Sequence, residues 1–409
     1  RFHMPLVLSS GTIDAITEAR ITVTVRVGDR EATGRGSIYL SDLWAWPDPA
    51  LAHEQRDAIL RRRCERIASA LDQLCGGEAA HPLELGLRLH HNVCEAQPRQ
   101  TNDPPALALS MCLSPFDAAI HDAVGHALDR SAFALYDNAG AIPSVDALFD
   151  GGAAGAVRRM LRPKPLRELP AWLIVGKNDD LTEQVAPWVR QRGYRCFKLK
   201  LMGQDNAVDV QRTVEVYRAV REFGAASAQL SVDTNEANPD AASVLDYLER
   251  LEAADGQAYE ALAFLEQPTG RDITVHAHDW RAVGARKPVL LDEGLTSLAL
   301  LDEAARQGWS GLALKTCKGH SFALAAAAWA HARGLSLSMQ DLTNPGYSAI
   351  HSALFAGHVP TINGVELNSP QFTPDANRDW LPRLAGLFEP TDGIHRLPTA
   401  TPRGLGSTL

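Results

Sequence analysis

From Ala171 onward short apolar runs recur at nearly regular intervals, and no other feature restricts the fold so strongly. The runs are AWLIVG (171–176), YRCFKLKL (194–201), AQLSVD (228–233), ALAFLE (261–266), PVLLDE (288–293), GLALK (311–315), LSLSM (335–339) and TINGVE (361–366). Their starts lie 23, 34, 33, 27, 23, 24 and 26 residues apart. That is the span of a strand, a crossover helix and two loops. Eight such units predict an α/β chain built on a parallel (β/α)8-type, TIM-like barrel. An open doubly wound sheet is the competing arrangement, but no glycine-rich phosphate loop follows the first run.

The first third reads differently. Ile21–Val27 alternates apolar and polar residues, Val27-Gly28-Asp29-Arg30 turns the chain, and Glu31–Leu40 follows, which predicts an antiparallel hairpin. Leu60, Cys64, Ile67, Leu71 and Leu74 repeat every three or four residues and predict a helix over His53–Leu74. A second helix is expected from Ser114 as N-cap, with Pro115 in its first turn, to about Leu128. Strands followed by helices suggest a small α+β domain. The Pro/Arg-rich stretch 162–170 reads as its linker, and 253–260 as a loop insertion. The expected division is a capping domain over 1–165, a barrel over 166–366 and a segment over 367–409 that returns to the cap.

Composition excludes several classes. Forty Lys+Arg against 49 Asp+Glu leave a net charge of −9, which argues against a nucleic-acid partner. The longest strongly apolar stretch, around Phe322–Ala330, is far short of the roughly 20 residues of a membrane span. The six cysteines are scattered without a CxxC, as expected of reduced, buried thiols, and no N-terminal segment has a signal-peptide pattern, so the expected compartment is the cytoplasm.

A barrel carries its chemistry at the C-terminal ends of its strands. Here those ends are polar in an ordered way: Lys198 and Lys200, then Asp233 and Asn235, Glu266 with Gln267, Asp292 with Glu293, Lys315, Gln340 with Asp341, and Glu366 with Asn368. Lys198 and Lys200 are two apart, so both point into the barrel mouth. Asp233, Glu266 and Asp292 come from adjacent strands and repel one another unless a cation lies between them. Oxygen ligands from separate strands suit Mg²⁺. Lysines on either side suit proton transfer at a carbon next to a carboxylate, with the metal neutralising the developing charge. Lys200 must be neutral to act as base, and the metal and Lys198 both favour that form. The plain alternative is that the lysines only balance their neighbours and the carboxylates only cap helices.

The set KLK (198–200), VDTN (232–235), LEQP (265–268), LDEG (291–294) and LALKTCKG (312–319) resembles the enolase superfamily, and more narrowly its muconate-lactonizing-enzyme-like subgroup. The helix FDAAIHDAVGHALDR (116–130) resembles the last helix of that superfamily's N-terminal capping domain. The resemblance implies a modified (β/α)7β barrel, Mg²⁺, and a lysine or histidine base, which is known of that superfamily rather than proved by these residues. It implies Asp233, Glu266 and Asp292 as metal ligands, Lys200 as base, Lys198 as its modulating partner and Lys315 as the sixth-strand lysine. Asp341 falls near a seventh-strand carboxylate of some members and is a further catalytic candidate. Asn235, Glu293, Lys318, Glu366 and Asn368 are the expected substrate contacts. Gly319-His320 replaces the Gly-Gly of many relatives, and strand 7 ends without a histidine, unlike the mandelate-racemase-like branch. Glu366-Leu367-Asn368 lacks the paired aspartates of dipeptide epimerases.

The expected protein is therefore a Mg²⁺-dependent racemase, epimerase or cycloisomerase acting on a small-molecule carboxylate, with dehydration of an acid sugar or an inactive metal-binding barrel as alternatives. No membrane partner is expected, and the resemblance implies a homo-oligomer. His276, His278, His320, His331, His351 and His358 are expected at the surface or in capping roles, because no third zinc ligand accompanies His276 and His278. Trp44 and Trp46 stand in a Pro-rich loop that either leans over the barrel mouth or packs on its own domain.

Overall fold

The computed structural model describes residues 1–3, 5–8, 11–96, 103–137 and 139–409. Seven of the eight apolar runs form one parallel sheet: β3 (Trp172–Val175), β4 (Cys196–Lys200), β5 (Gln229–Asp233), β6 (Leu262–Glu266), β7 (Val289–Leu291), β8 (Gly311–Lys315) and β9 (Ser336–Gln340). They neighbour one another in chain order. Helices return the chain between strands, among them Asn206–Phe223, Ala241–Ala254 and His320–Ala332. The fold is a TIM-like α/β barrel.

The eighth run is not a full strand. Gly364 has a left-handed backbone (φ +67), which breaks the extended path. A Cβ there would also lie 2.7 Å from Pro170 Cδ. Closure is reduced to two parallel bridges, Ala171 to Val365 and Gln340 to Glu366. Asn363 supplies the rest with its side chain. Its Oδ1 accepts from Met339 N at 3.0 Å and its Nδ2 donates to Met339 O at 3.1 Å, imitating a ladder pair.

The N-terminal hairpin forms as its alternation predicts: β1 (Glu18–Val27) and β2 (Arg30–Tyr39) pair antiparallel around Gly28-Asp29, with Gly28 at φ +59. It lies on helix Ala106–Leu128. A Cβ on Gly34 would meet Ala119 O at 2.2 Å, and one on Gly36 would meet Pro115 O at 2.1 Å. Backbone thus rests directly on backbone. Helix His53–Leu74 has the expected limits.

The helix expected to begin at Ser114 begins at Ala106 instead, with Pro115 inside it. The preceding ALALSMCL is apolar and wholly buried, so packing draws it into the helix. Proline has no N–H to give Met111 O. The Ser114 hydroxyl takes that role, donating to Met111 O at 2.8 Å. Ser114 is a mid-helix repair rather than a cap. The stretch 253–260 is likewise no loop: Gly256–Ala261 is a short helix capped by Asp255, with Ala258 and Tyr259 buried.

Part of the 162–170 stretch is a strand, Glu168–Pro170, paired antiparallel with Ile394–Arg396. The chain end lies against helix Ala106–Leu128, where Asp122 accepts from Leu405 N (2.7 Å) and Ser407 Oγ (2.5 Å). All six cysteines are buried. Among the described residues no helix is long and apolar enough to cross a membrane.

His320, His351 and His358 are buried, contrary to the expected surface roles; His276 and His331 are exposed and His278 is partly exposed. His320 stands on the first turn of a helix whose residues 320–330 are all buried. Its Nδ1 lies 2.7 Å from His351 Nε2, and its ring meets that of His121 edge-on at 4.3 Å. His121 Nε2 lies 2.9 Å from Ser321 Oγ. Burial pulls His351 down to about 3 and His395 to about 4, and holds His121 and His320 well below the usual imidazole range. The folded chain keeps these rings neutral, whereas an unfolded chain takes up protons near pH 6.5. Their contribution to stability is therefore whole above about pH 6.5 and is lost progressively toward pH 3. At pH 5 the loss is on the order of 2 kcal/mol for each of His351 and His395. Thermal denaturation at pH 7.5 and pH 5 should show a marked drop in Tm, smaller in His395→Asn; a flat profile contradicts neutral burial.

Candidate active site

Strand register sets the site. Lys200 is level with Asp233, and Asp233 with Glu266, across β4, β5 and β6. Glu266 stands beside Leu290 of β7, whose chain continues into Asp292, and Lys315 is level with Gln340 across β8 and β9. The polar ends thus form one rim at the C-terminal mouth.

The rim alternates charge. Lys200 Nζ donates to Asp233 Oδ2 at 2.5 Å and to Asn235 Oδ1 at 3.2 Å. Lys198 Nζ lies 2.9 and 3.0 Å from the two Glu266 oxygens, 3.2 Å from Asp233 Oδ2 and 3.5 Å from Glu366 Oε2. Lys315 Nζ pairs with Asp292 Oδ2 and lies 3.4 Å from Glu266 Oε1. Lys318 Nζ donates to Asp292 O at 2.5 Å and to its Oδ1 at 3.1 Å. Gln340 Nε2 donates to Glu266 Oε2.

Burial works against charge on Lys198, but Glu266, Glu366, Asp233 and Asp292 together raise its pKa well above the usual range. Burial likewise opposes charge on Lys315, and Asp292 and Glu266 override it upward. For Asp292 burial favours protonation, but Lys315 and Lys318 hold it below the ordinary carboxylate range. Asp233 is lowered in the same way, burial being outweighed by Lys200 and Lys198. Glu293 has no such neighbour at hydrogen-bond distance. Burial and then repulsion from Asp292 push it up to about 8.

These groups surround a cavity of about 50 Å³. Lys198, Lys200, Lys315, Asp233, Glu266, Asp292, Asn235, Glu293, Glu366 and Asn368 all line it. Two expected site residues do not. Lys318 is spent on Asp292, and Asp341 Oδ1 accepts from Thr343 N (2.9 Å) and Asn368 N (3.3 Å), so it shapes the loop between the seventh and eighth runs. Asn368 Nδ2 donates to Glu366 Oε1 at 2.7 Å.

The tryptophan loop does lean over the mouth. Trp44 Nε1 donates to Glu293 Oε1 at 2.8 Å, and Lys315 Nζ sits 5.5 Å from the Trp44 ring centre, a cation–π distance. Ser41, Ile174, Leu342 and Thr343 also line the cavity and carried no sequence signal. Gln267 was visible only as the neighbour of Glu266. Its Oε1 accepts from Asp292 N (3.0 Å) and Gly294 N (3.1 Å), fixing the turn that carries Asp292. Asn235, Glu236 and Gln267 have left-handed backbones, at φ 48, 71 and 32. Such strain at non-glycine residues costs of order 1 kcal/mol or more and persists only where surrounding structure imposes it.

A family model described as enolase C-terminal domain-like matches residues 180–409, more than half of the chain. The chain belongs to that family. It is similar in fold to a muconate lactonizing enzyme from Klebsiella pneumoniae (23% identity, 95% of this chain and 91% of that one, TM-score 0.61). It is also similar to an enolase from Bradyrhizobium complexed with magnesium and mandelic acid (20%, 99% and 91%, 0.64). A third similar structure is an N-succinyl Arg/Lys racemase from Bacillus cereus (17%, 99% and 91%, 0.64). A search of curated proteins returns no match. At these identities the property shared with the solved structures is the fold, and the matching family is the one expected from the strand-end motifs.

Lys318 is wholly buried, and among the described residues its ammonium bonds Asp292 alone. Lys318→Met should cost about 3 kcal/mol in urea denaturation, the usual consequence of leaving a buried charge short of a partner. A change below about 1 kcal/mol would sink the anchoring role.

Proposed function

We propose that this protein is a Mg²⁺-dependent enzyme that abstracts the α-proton of a small carboxylate, most simply a racemase, epimerase or cycloisomerase. One observation carries the reading: lysine strands flank three consecutive carboxylate strands, β4 on one side of β5, β6 and β7, and β8 on the other.

The donor set fits a hard divalent cation. Asp233, Glu266 and Asp292 offer only carboxylate oxygen, from three adjacent strands. Among the described residues no three such groups already converge as a metal cage. Instead Lys198 is shared between Asp233 and Glu266, and Lys315 between Glu266 and Asp292. Carboxylates close enough to share an ammonium are close enough to share a cation. When bound, Mg²⁺ would supply positive charge for the negative charge that develops on the substrate carboxylate.

The chain's own groups do the rest. Lys200 is the more exposed member of its pair and is the base for one face of the substrate carbon. Lys198 stays charged among its four acidic neighbours and steadies the carboxylates beside it. Lys315, held as an ammonium by Asp292 and Glu266, returns a proton on the opposite face. Trp44 and the cap exclude water from that side. Asn235, Glu293, Glu366 and Asn368 would contact the remainder of the substrate. The racemase or cycloisomerase reading is preferred to acid-sugar dehydration because Asp341, the carboxylate a dehydratase would use as acid, does not line the cavity.

The test is α-deuterium incorporation in D₂O with Mg²⁺ across amino acids, dipeptides, N-acyl amino acids and acid sugars. A substrate whose proton faces Lys200 should exchange, Lys200→Ala should slow that exchange by about 10²-fold or more, and Lys315→Ala should block inversion at the same carbon. An absence of exchange across the library, or full exchange in Lys200→Ala, contradicts the reading. Calorimetric Mg²⁺ titration should weaken at least ten-fold in Asp233→Asn and Glu266→Gln; unchanged affinity removes them as ligands.

A further inference from the structure

The tryptophan lid is held from two sides of unequal strength. At the rear, Asp42 is buried and bonded to Arg56 Nε at 2.7 Å and to His53 Nδ1 at 2.9 Å, which fastens the lid to helix His53–Leu74. At the front stands Arg271, on the loop after β6. Its Nε lies 3.0 Å from both oxygens of Glu236, its NH2 also pairs with Glu236, and its backbone N–H donates to the same carboxylate at 2.8 Å. Its remaining arm, NH1, donates to the Trp44 carbonyl at 3.2 Å. Glu236 in turn lies three residues past Asp233, and its N–H donates to Gln267 O at 3.1 Å. One guanidinium therefore joins the loop after β5, the loop after β6 and the cap.

The planar fork explains why arginine stands here. Two donors grip the carboxylate and leave a third aimed elsewhere, which lysine does not do. The front attachment includes this contact, the Trp44–Glu293 bond, the Lys315 ammonium under the Trp44 ring and Leu43 packed beside Ile174, and the Arg271 contact is the part-buried hydrogen bond among them. The cavity beneath, about 50 Å³, holds a few waters, whereas ligand pockets are usually some hundreds of Å³. A substrate of ordinary size therefore needs the lid, or the side chains beneath it, to move, and Arg271 holds the front edge of that lid.

We infer that Arg271 is a positioning residue, the latch that registers the cap lid Ser41–Trp46 on the metal-side loops, and that substrate enters by release of this latch with Asp42–Arg56 as the hinge. The inference rests on the reading of this cavity as the substrate site.

Hydrogen exchange read by mass spectrometry on the full chain tests it without substrate or metal. The Ala45 and Trp46 amides are protected by bonds to Ser41 O and Asp42 O. Arg271→Ala should speed exchange about ten-fold in peptides covering 41–48, with peptides covering 229–233 and 311–315 unchanged. Arg271→Lys, which keeps the charge beside Glu236, should produce the same pattern at smaller size and serves if Arg271→Ala does not fold. Unchanged exchange at 41–48 in either folded variant overturns the latch. So does acceleration spread through the barrel strands, which marks a general structural role. With a substrate from the deuterium screen, Arg271→Ala should shift KM several-fold more than kcat while Mg²⁺ affinity stays within two-fold. Localised lid opening without α-proton exchange in any carboxylate would sink the catalytic reading alone; exchange with an unmoved lid would sink the latch alone.

Discussion

Three carboxylates stand side by side in a buried strand-end rim, and the architecture around them exists to make that tolerable. Removing one ionised carboxylate from water is costly, and placing three together adds repulsion. Lys198 and Lys315 are interleaved between them, Lys200 and Lys318 hold the outer members, and Gln340 hydrogen-bonds Glu266. A parallel barrel suits this task because register fixes the height of each group. Neighbouring strands place Lys200, Asp233 and Glu266 level without loops having to find them. A displacement of one residue in any of these strands would turn its charge away from the mouth and leave its neighbours unpaired.

The cap completes the rim from above. Glu293 has no lysine at bonding distance and is instead bonded to an indole N–H from another part of the chain. Its raised pKa and the depressed one of adjacent Asp292 follow from the company each keeps, two consecutive side chains in one buried turn facing different partners. Elsewhere cap and barrel meet through a buried carboxyl group and a row of buried imidazoles. Asp117 accepts from both the N–H and the hydroxyl of Ser321 at 2.8 Å, and the buried imidazoles of His121, His320 and His351 continue that seam.

The barrel was legible because its signal repeats. Seven runs of similar spacing became seven strands, and the polar residue closing most of them lines the mouth. Local exceptions were not legible. Gly364 ended the eighth strand early, and only the fold reveals that the Asn363 amide replaces the missing ladder. Ser114-Pro115 has the composition of a helix start, yet the apolar segment before it pays more by burial than the cap would return. His320, His351 and His358 looked polar in sequence and proved to be core. Asp341 and Lys318 carried the right chemistry near the right place, but Lys318 turns to Asp292 on another strand end and Asp341 to the backbone of Thr343 and Asn368, and no spacing rule connects Arg271 to Trp44 across 227 residues.

The absence of two methyl groups sets the position of the lid. Gly34 and Gly36 let the second hairpin strand rest on the carbonyls of helix Ala106–Leu128 at a distance no other residue permits. Only a few residues later, Tyr39 N is tied to Asn344 Oδ1 at 2.8 Å and the chain enters the lid. The hairpin therefore behaves as a cantilever clamped close to its free end. A side chain as small as alanine at either glycine would lift the clamp, and the displacement would be delivered to Trp44, a residue that neither glycine touches.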